Sequence, residues 1–326
     1  MDTSPAYATP EWHRRFEAAR AALGDLAELL AVKDRIEGAP HPAPVTSLVD
    51  ASPPLQAARV GAFAGSFNPL TRAHTGVVEA ARLALQMDAV LWLLTRVTVD
   101  KEQVERATLV DRAIQMRSYI RTASAHDQLA LILAGLYADQ ATALREWLPP
   151  QTDLWLIVGY DKIVQIFDAR YYTDRDADLD RLFASARVLV APRDSHTDAE
   201  LAKLLAVPEN RPYAQRVRYL ALPPTLAHMS STAAREDARA RGDTPLEALA
   251  ELLVPEGAAL TLTTQAYAPP VRLSCGELVD VYGLRQALIA ALATTSEPSP
   301  VPLARLMGRA AAPTDAGEQM RVWLRE

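Results

Sequence analysis

Six short apolar runs, spaced about 25 to 40 residues apart, constrain this chain more than any other feature. They are RVGAFAG from Arg59, DAVLWLLT from Asp88, LALILA from Leu129, DLWLIVG from Asp153, ARVLVAPR from Ala186 and RVRYLAL from Arg216. Each is four to eight residues long and almost continuously apolar, the pattern of strands covered on both faces. Amphipathic sequence fills the gaps. Strands alternating with helices in this way predict a parallel sheet with helices on both sides, the doubly wound α/β class. In such sheets ligands bind beyond the C-terminal strand ends, where the strand order reverses. The segments that follow each run are therefore where chemistry is expected.

The flanks read differently. Phe16, Ala19, Leu23, Leu26, Leu29 and Leu30 recur at helical spacing, with Thr9 as an N-cap and Pro10 at the first helical position, so one or two amphipathic helices are expected before residue 38. Pro40, Pro42, Pro44, Pro53 and Pro54 then interrupt any helix or central strand, giving a linker or an extended wrap. After Thr264 the alternation fades. Gly276 to Leu292 reads as a further amphipathic helix, and a last helix is expected near Glu318 to Arg325. The expected organisation is a helical extension and Pro-rich linker over 1–55, a central domain over 56–264 and a helical extension over 265–326.

Charge and targeting signals narrow the function. A formal net charge of −6 supplies no field for a polyanion, so nucleic acid is not expected as the main partner. The N-terminal residues lack the basic and apolar regions of a signal peptide, and no stretch approaches 18 uninterrupted apolar residues. No membrane partner and a cytoplasmic location are expected. Cys275 is the single cysteine and cannot form an intramolecular disulfide. No His, Cys or carboxylate group has the spacing of a structural zinc site, so no metal ligands are expected.

Three segments carry candidate chemistry. The chain has 13 glycines, and Gly61, Gly65 and Gly76 fall across the exit of the first strand and the start of the next helix, a junction where backbone N–H groups can face an anion. The spacing is neither G-x-G-x-x-G nor the Walker pattern, which removes support for a dinucleotide-dependent oxidoreductase or a P-loop NTPase. What remains is GSFNPLTRAH, with Thr71 one helical turn before His74. The second segment, MSSTAAR, has Ser230 or Ser231 as N-cap, with Thr232 and the forked guanidinium of Arg235 at the same helix start, which makes a local anion site. The third places Gly159 and Asp161 after the fourth apolar run, at a predicted helix start.

GSFNPLTRAH resembles the signature of the nucleotidyltransferase superfamily that shares an (H/T)-x-G-H motif, and the resemblance implies a Rossmann-like sheet. Gly65, Ser66, Phe67, Asn68, Pro69, Thr71 and His74 match; Ala73 stands where that family usually has Gly. Ser230, Ser231, Thr232 and Arg235 match its I-S-S-T-x-x-R segment, with Met229 at the Ile position. The matches imply that Gly65, Ser66, Phe67, Asn68, Ser230, Ser231 and Thr232 bind ATP phosphates, and that His74, Thr71 and Arg235 carry catalysis. Lys101 and Arg193, each just after a run at the same edge of the sheet, are further candidates for phosphate.

Within the superfamily the GYD segment is similar to adenylyltransferases acting on nicotinamide or nicotinate mononucleotide, with wording nearest a divergent branch best known from fungi. Gly159, Asp161, Tyr171 and Tyr172 are then implied mononucleotide contacts, the tyrosines standing in place of the family's usual Trp. The implied reaction joins ATP to the mononucleotide, giving NAD or its deamido form and pyrophosphate, with Mg²⁺ accompanying ATP. A homo-oligomer is compatible with this reading. A different acceptor such as phosphopantetheine, a CTP-dependent reaction, or a non-catalytic regulatory protein that binds nucleotides are the alternatives.

Overall fold

The computed structural model describes residues 9–39, 45–48, 55–95, 107–123, 126–192, 197–227, 229–241, 245–272 and 278–293. Lys101, Arg193, Cys275 and the helix expected near 318–325 lie outside these. All six apolar runs form strands: β2 (Arg59–Gly65), β3 (Ala89–Thr95), β4 (Gln128–Ile132), β5 (Asp153–Gly159), β6 (Arg187–Ala191) and β7 (Val217–Tyr219). With β1 (Val45–Ser47) they form one sheet in the order β1-β4-β3-β2-β5-β6-β7, and every pairing except that of β1 is parallel. Strands β3 and β4 run outward to one side of β2 and strands β5, β6 and β7 to the other, so the order reverses between β2 and β5.

Alternation along each strand sends side chains to two cores. Val90, Trp92, Leu94, Leu129, Leu131 and Ile157 join one; Leu91, Leu93, Ala130, Leu156, Val158 and Val188 join the other. The first core is closed by α1 (Pro10–Gly24), α2 (Leu26–Glu37), α3 (Arg72–Leu85), α4 (Leu109–Ala123), α10 (Ser231–Arg241), α11 (Leu246–Leu252), α12 (Pro255–Thr264) and α13 (Val281–Ala293). On the opposite face lie α5 (Tyr137–Trp147), α6 (Tyr160–Phe167), α7 (Arg175–Ser185) and α8 (Asp198–Ala206). One turn, α9 (Pro224–Ala227), precedes α10.

The flanking helices belong to the first core. Thr9 caps α1 through the Trp12 N–H, as its position suggested, and Trp12, Phe16 and Leu23 are buried with Trp92 and Leu288. α1 packs against α12 and α4. Buried charges lock the arrangement: Arg15 forks onto the fully buried Glu256, and Arg285 of α13 meets Asp111 of α4 at 2.7 Å with both side chains 1% exposed.

Two details depart from expectation. The Pro-rich stretch contains the short edge strand β1, where Val45, Thr46 and Ser47 offer a proline-free run that pairs antiparallel with β4. The helix expected from Gly276 begins only at Val281, because Leu278–Val279 pair with Val271–Arg272 as a two-stranded ribbon and the Asp280 carbonyl accepts the first helical bond, from Leu284.

Candidate active site

At the C-terminal ends of β2 and β5 lies a cavity of about 440 Å³, at the reversal point of the sheet. That size suits a small-molecule ligand. Of the residues expected to contact ligand, Gly65, Ser66, Thr71, His74, Gly159, Asp161, Tyr171, Tyr172, Ser230, Ser231, Thr232 and Arg235 line it.

The loop from Ser66 to Leu70 links β2 to α3. Phe67 takes φ of 43°, the left-handed region, and folds its ring back over Gly65, where any Cβ would meet it at 3.0 Å. Gly65 is therefore needed for this approach. The Asn68–Pro69 peptide is cis. Phe67 and Asn68, expected on phosphate, have their side chains turned into the core. Phe67 packs edge-on against Trp92 and His74 at 5.5 and 5.3 Å, and the Asn68 amide oxygen accepts the Tyr267 hydroxyl at 2.5 Å. The physical reason is local: the left-handed Phe67 swings its own ring and the next side chain away from the cavity.

Thr71 caps α3, and His74 completes a reciprocal box. Thr71 Oγ1 accepts the His74 N–H at 3.3 Å, while His74 Nδ1 accepts the Thr71 N–H at 3.0 Å and lies 2.8 Å from Thr71 Oγ1. With Nδ1 occupied as an acceptor, the ring proton sits on Nε2, on the far side of the ring from the cap. Thr71 is fully buried, and its hydroxyl lies against the imidazole. Ala73 also lines the cavity.

The second motif grips the same loop. Ser230 is the N-cap of α10, accepting the Ala233 N–H at 3.1 Å; Ser231 Oγ donates to the Pro69 carbonyl at 2.8 Å. Arg235 donates to the Asn68 carbonyl at 2.7 Å and to Thr232 Oγ1 at 3.2 Å. Two segments far apart in sequence thus meet at one helix-start environment, rich in donors and suited to anions.

Across the cavity, the exposed Asp161 folds toward Gly159, where a Cβ would meet its carboxylate at 2.8 Å. It is the one acidic residue among the described lining residues. Tyr172 donates to the Ile166 carbonyl at 2.8 Å, and burial pushes its hydroxyl up to about 12. The Arg170 guanidinium lies over the Tyr171 ring at 5.9 Å.

Sequence reasoning passed over the turn after β4. Tyr137 lines the cavity with its hydroxyl pushed above the usual tyrosine range, first by burial and then by the Asp161 carboxylate. Gln140 steadies the turn by donating to the carbonyls of Ala134 and Gly135. Lys162, bonded to Gln165 at 3.0 Å, brings a cation to the same wall. The signal was present, since this segment also follows an apolar run. Among the described residues no group of three or more His, Cys, Asp or Glu could hold a metal ion, and no helix is long and apolar enough to cross a membrane.

No family model matches the sequence. The chain is 28% identical over 201 residues to a probable nicotinate-nucleotide adenylyltransferase of Laribacter hongkongensis, covering 56% of this chain and 85% of that protein. Counterparts of the same name from Caulobacter sp. and Chromobacterium violaceum are 30% and 25% identical; the matches cover 35% and 59% of this chain, and 61% and 92% of theirs. None of these three is fungal. Solved structures of the Plasmodium falciparum nicotinic acid mononucleotide adenylyltransferase, complexed with APC and with NaAD, cover 64% of this chain and 96% and 97% of theirs. Their identities are 15% and 16%, with a TM-score of 0.46 for each. With its two motifs brought together on one cavity, the chain is similar to these probable nicotinate-nucleotide adenylyltransferases.

Proposed function

We propose that this protein transfers the adenylyl group of ATP to the 5′-phosphate of nicotinate mononucleotide. The observation that carries the reading is the meeting of His74 with the Ser230–Arg235 helix start around one loop, at the reversal point of the sheet. The name of the curated relatives favours nicotinate over nicotinamide as the acceptor.

The acceptor phosphate is an anion at neutral pH, so no general base is required. A phosphate oxygen forms the new bond to the α-phosphorus of ATP while the bond to the bridging oxygen breaks. Pyrophosphate leaves with that electron pair. Catalysis then rests on in-line placement and on charge stabilisation. In this reading His74 donates from Nε2 to the α-phosphate, aimed by Thr71. Arg235, with Ser230, Ser231 and Thr232, holds the β and γ phosphates. Asp161 and the tyrosines of the opposite wall face the mononucleotide. With Asp161 the one carboxylate among the described lining residues, Mg²⁺ would come with the triphosphate, held mainly by phosphate and water oxygens, and would offset the charge developing there.

The test offers ATP·Mg²⁺ with nicotinate or nicotinamide mononucleotide and follows pyrophosphate and dinucleotide. Dinucleotide formed faster from nicotinate mononucleotide is the expected result. Binding of ATP without pyrophosphate release, with either acceptor or with phosphopantetheine, would mark a nucleotide-binding protein instead.

A further inference from the structure

Four consecutive carbonyls of the phosphate loop each accept a bond from a side chain. Ser66 O takes Arg112 at 2.8 Å, Phe67 O takes Gln115 at 2.9 Å, Asn68 O takes Arg235 and Pro69 O takes Ser231. Arg235 and Ser231 belong to the phosphate motifs. Arg112 and Gln115 do not: they come from α4, are 3% and 0% exposed, and stand outside the cavity lining.

Gln115 makes a second bond, accepting the Leu70 N–H at 3.0 Å. Phe67 and Leu70 are the first and fourth residues of the turn, the pair that a tight turn commonly joins directly by carbonyl to N–H. Here one carboxamide bridges that pair, donating to the carbonyl and accepting from the N–H. Only a carboxamide offers a donor and an acceptor side by side at neutral pH. The bridge also fixes Phe67, whose φ of 43° is a conformation few side chains adopt. Because Arg112 and Gln115 approach from the core, the negative ends of the first two carbonyls point away from the cavity that would hold phosphate.

We propose that Gln115, seconded by Arg112, is a positioning residue for adenylyl transfer: it bridges the turn from behind and so holds His74 and the loop against the triphosphate. This rests on the adenylyl-transfer reading above. Neither residue touches substrate, so the effect passes through the loop. Misplacement of a site by about 1 Å is enough to cost on the order of 100-fold in rate.

The test compares full-length Gln115→Met and Gln115→Glu with the parent chain, measuring kcat, KM for each substrate, ATP affinity by calorimetry and the melting temperature. Gln115→Met keeps the volume and loses both bonds. Gln115→Glu keeps the acceptor for Leu70 and sets an oxygen against Phe67 O. In both, kcat is expected to fall about 10- to 100-fold, with the KM for the mononucleotide within about twofold of the parent's. A second pair separates positioning from folding: Arg112→Lys, which retains a donor for Ser66 O, should keep most of the kcat that Arg112→Met loses. Parental kcat in a folded Gln115→Met would overturn the proposal, as would equal kcat in the two Arg112 variants should Gln115→Met fail to fold. If the parent chain transfers no adenylyl group, ATP affinity is the readout. Weaker binding in Gln115→Met then supports the bridge while the reaction reading fails, and unchanged binding overturns the bridge.

Discussion

The imidazole of His74 is aimed by a hydroxyl three residues earlier, and that dependence separates two kinds of loss. On the proposed reading, removing the ring in His74→Ala takes away the donor to the transferring phosphate, and kcat is expected to fall on the order of 10²- to 10³-fold. His74 is only half-buried, so the melting temperature should barely move. Near-normal turnover in that variant would refute the role. Thr71→Val leaves the ring but removes the hydroxyl that receives the His74 N–H and lies beside Nδ1. The α3 cap then loses about 1 kcal/mol, and the ring loses one of two contacts that fix its tautomer. An intermediate result is expected: a lower melting temperature together with a kcat between those of the parent and His74→Ala. Thr71→Ser, which restores the hydroxyl, should recover both. Equal kcat in Thr71→Val and the parent would show that the backbone N–H alone holds the imidazole.

Between elements, a glycine of α12 packs tightly on the end of the loop that follows β2. A Cβ on Gly257 would lie 2.2 Å from the Leu70 carbonyl oxygen, backbone against backbone, at the end of the phosphate loop. Gly257→Ala therefore has to push the loop or the helix, at a cost of about 1–3 kcal/mol, and should lower kcat along with the melting temperature. Gly76→Ala is the contrast. Its new methyl meets only the tip of Leu226, at 2.4 Å, and a side-chain tip can rotate away. Its stability should stay within about 1 kcal/mol of the parent's, since alanine also favours the helix. Comparable losses in the two variants would argue against the loop as the sensitive element. The same distinction explains what the sequence made legible. Strands β2 to β7 and the starts of α1, α3 and α10 are written in local patterns: apolar runs, Thr9, the Thr71–His74 spacing, Ser230. The support behind the loop is not local. Gln115 reaches Leu70 across 45 positions and Tyr267 reaches Asn68 across 199, and no short-range pattern encodes such bonds. Phe67 and Asn68 carry the motif's letters yet face the core, because the backbone at Phe67 turns left-handed and residue identity alone does not reveal it.

At the scale of the whole molecule, the two cores bury several of its phenols, and this sets how the fold meets alkaline conditions. Tyr119, Tyr267 and Tyr282 lie in the first core and Tyr213 in the second, all at most 8% exposed, while Tyr137 and Tyr172 sit at the cavity wall. Burial is the leading cause in each case and pushes their hydroxyls upward, Tyr172 and Tyr213 to about 12 and the others further. Nearby carboxylates add to the shift, Asp127 beside Tyr119 and Asp111 beside Tyr282 among them. The folded values lie above the unfolded value of about 10. The unfolded chain therefore releases these protons first, and the stability they contribute is complete below about pH 10 and is lost as the pH rises through 12 and beyond. Each tyrosine that ionises only on unfolding steepens the decline by about 1.4 kcal/mol per pH unit in that window. Several such groups acting together, among ten tyrosines in all, predict an abrupt alkaline transition. Urea titrations at about pH 8, 10 and 11 should show little change below 10 and a falling midpoint above it, with most tyrosinate absorbance appearing together with the loss of helical circular dichroism. Tyrosinate absorbance that rises smoothly in the still-folded protein with a midpoint near 10 would show that water reaches these hydroxyls, and that the cores are not closed over them.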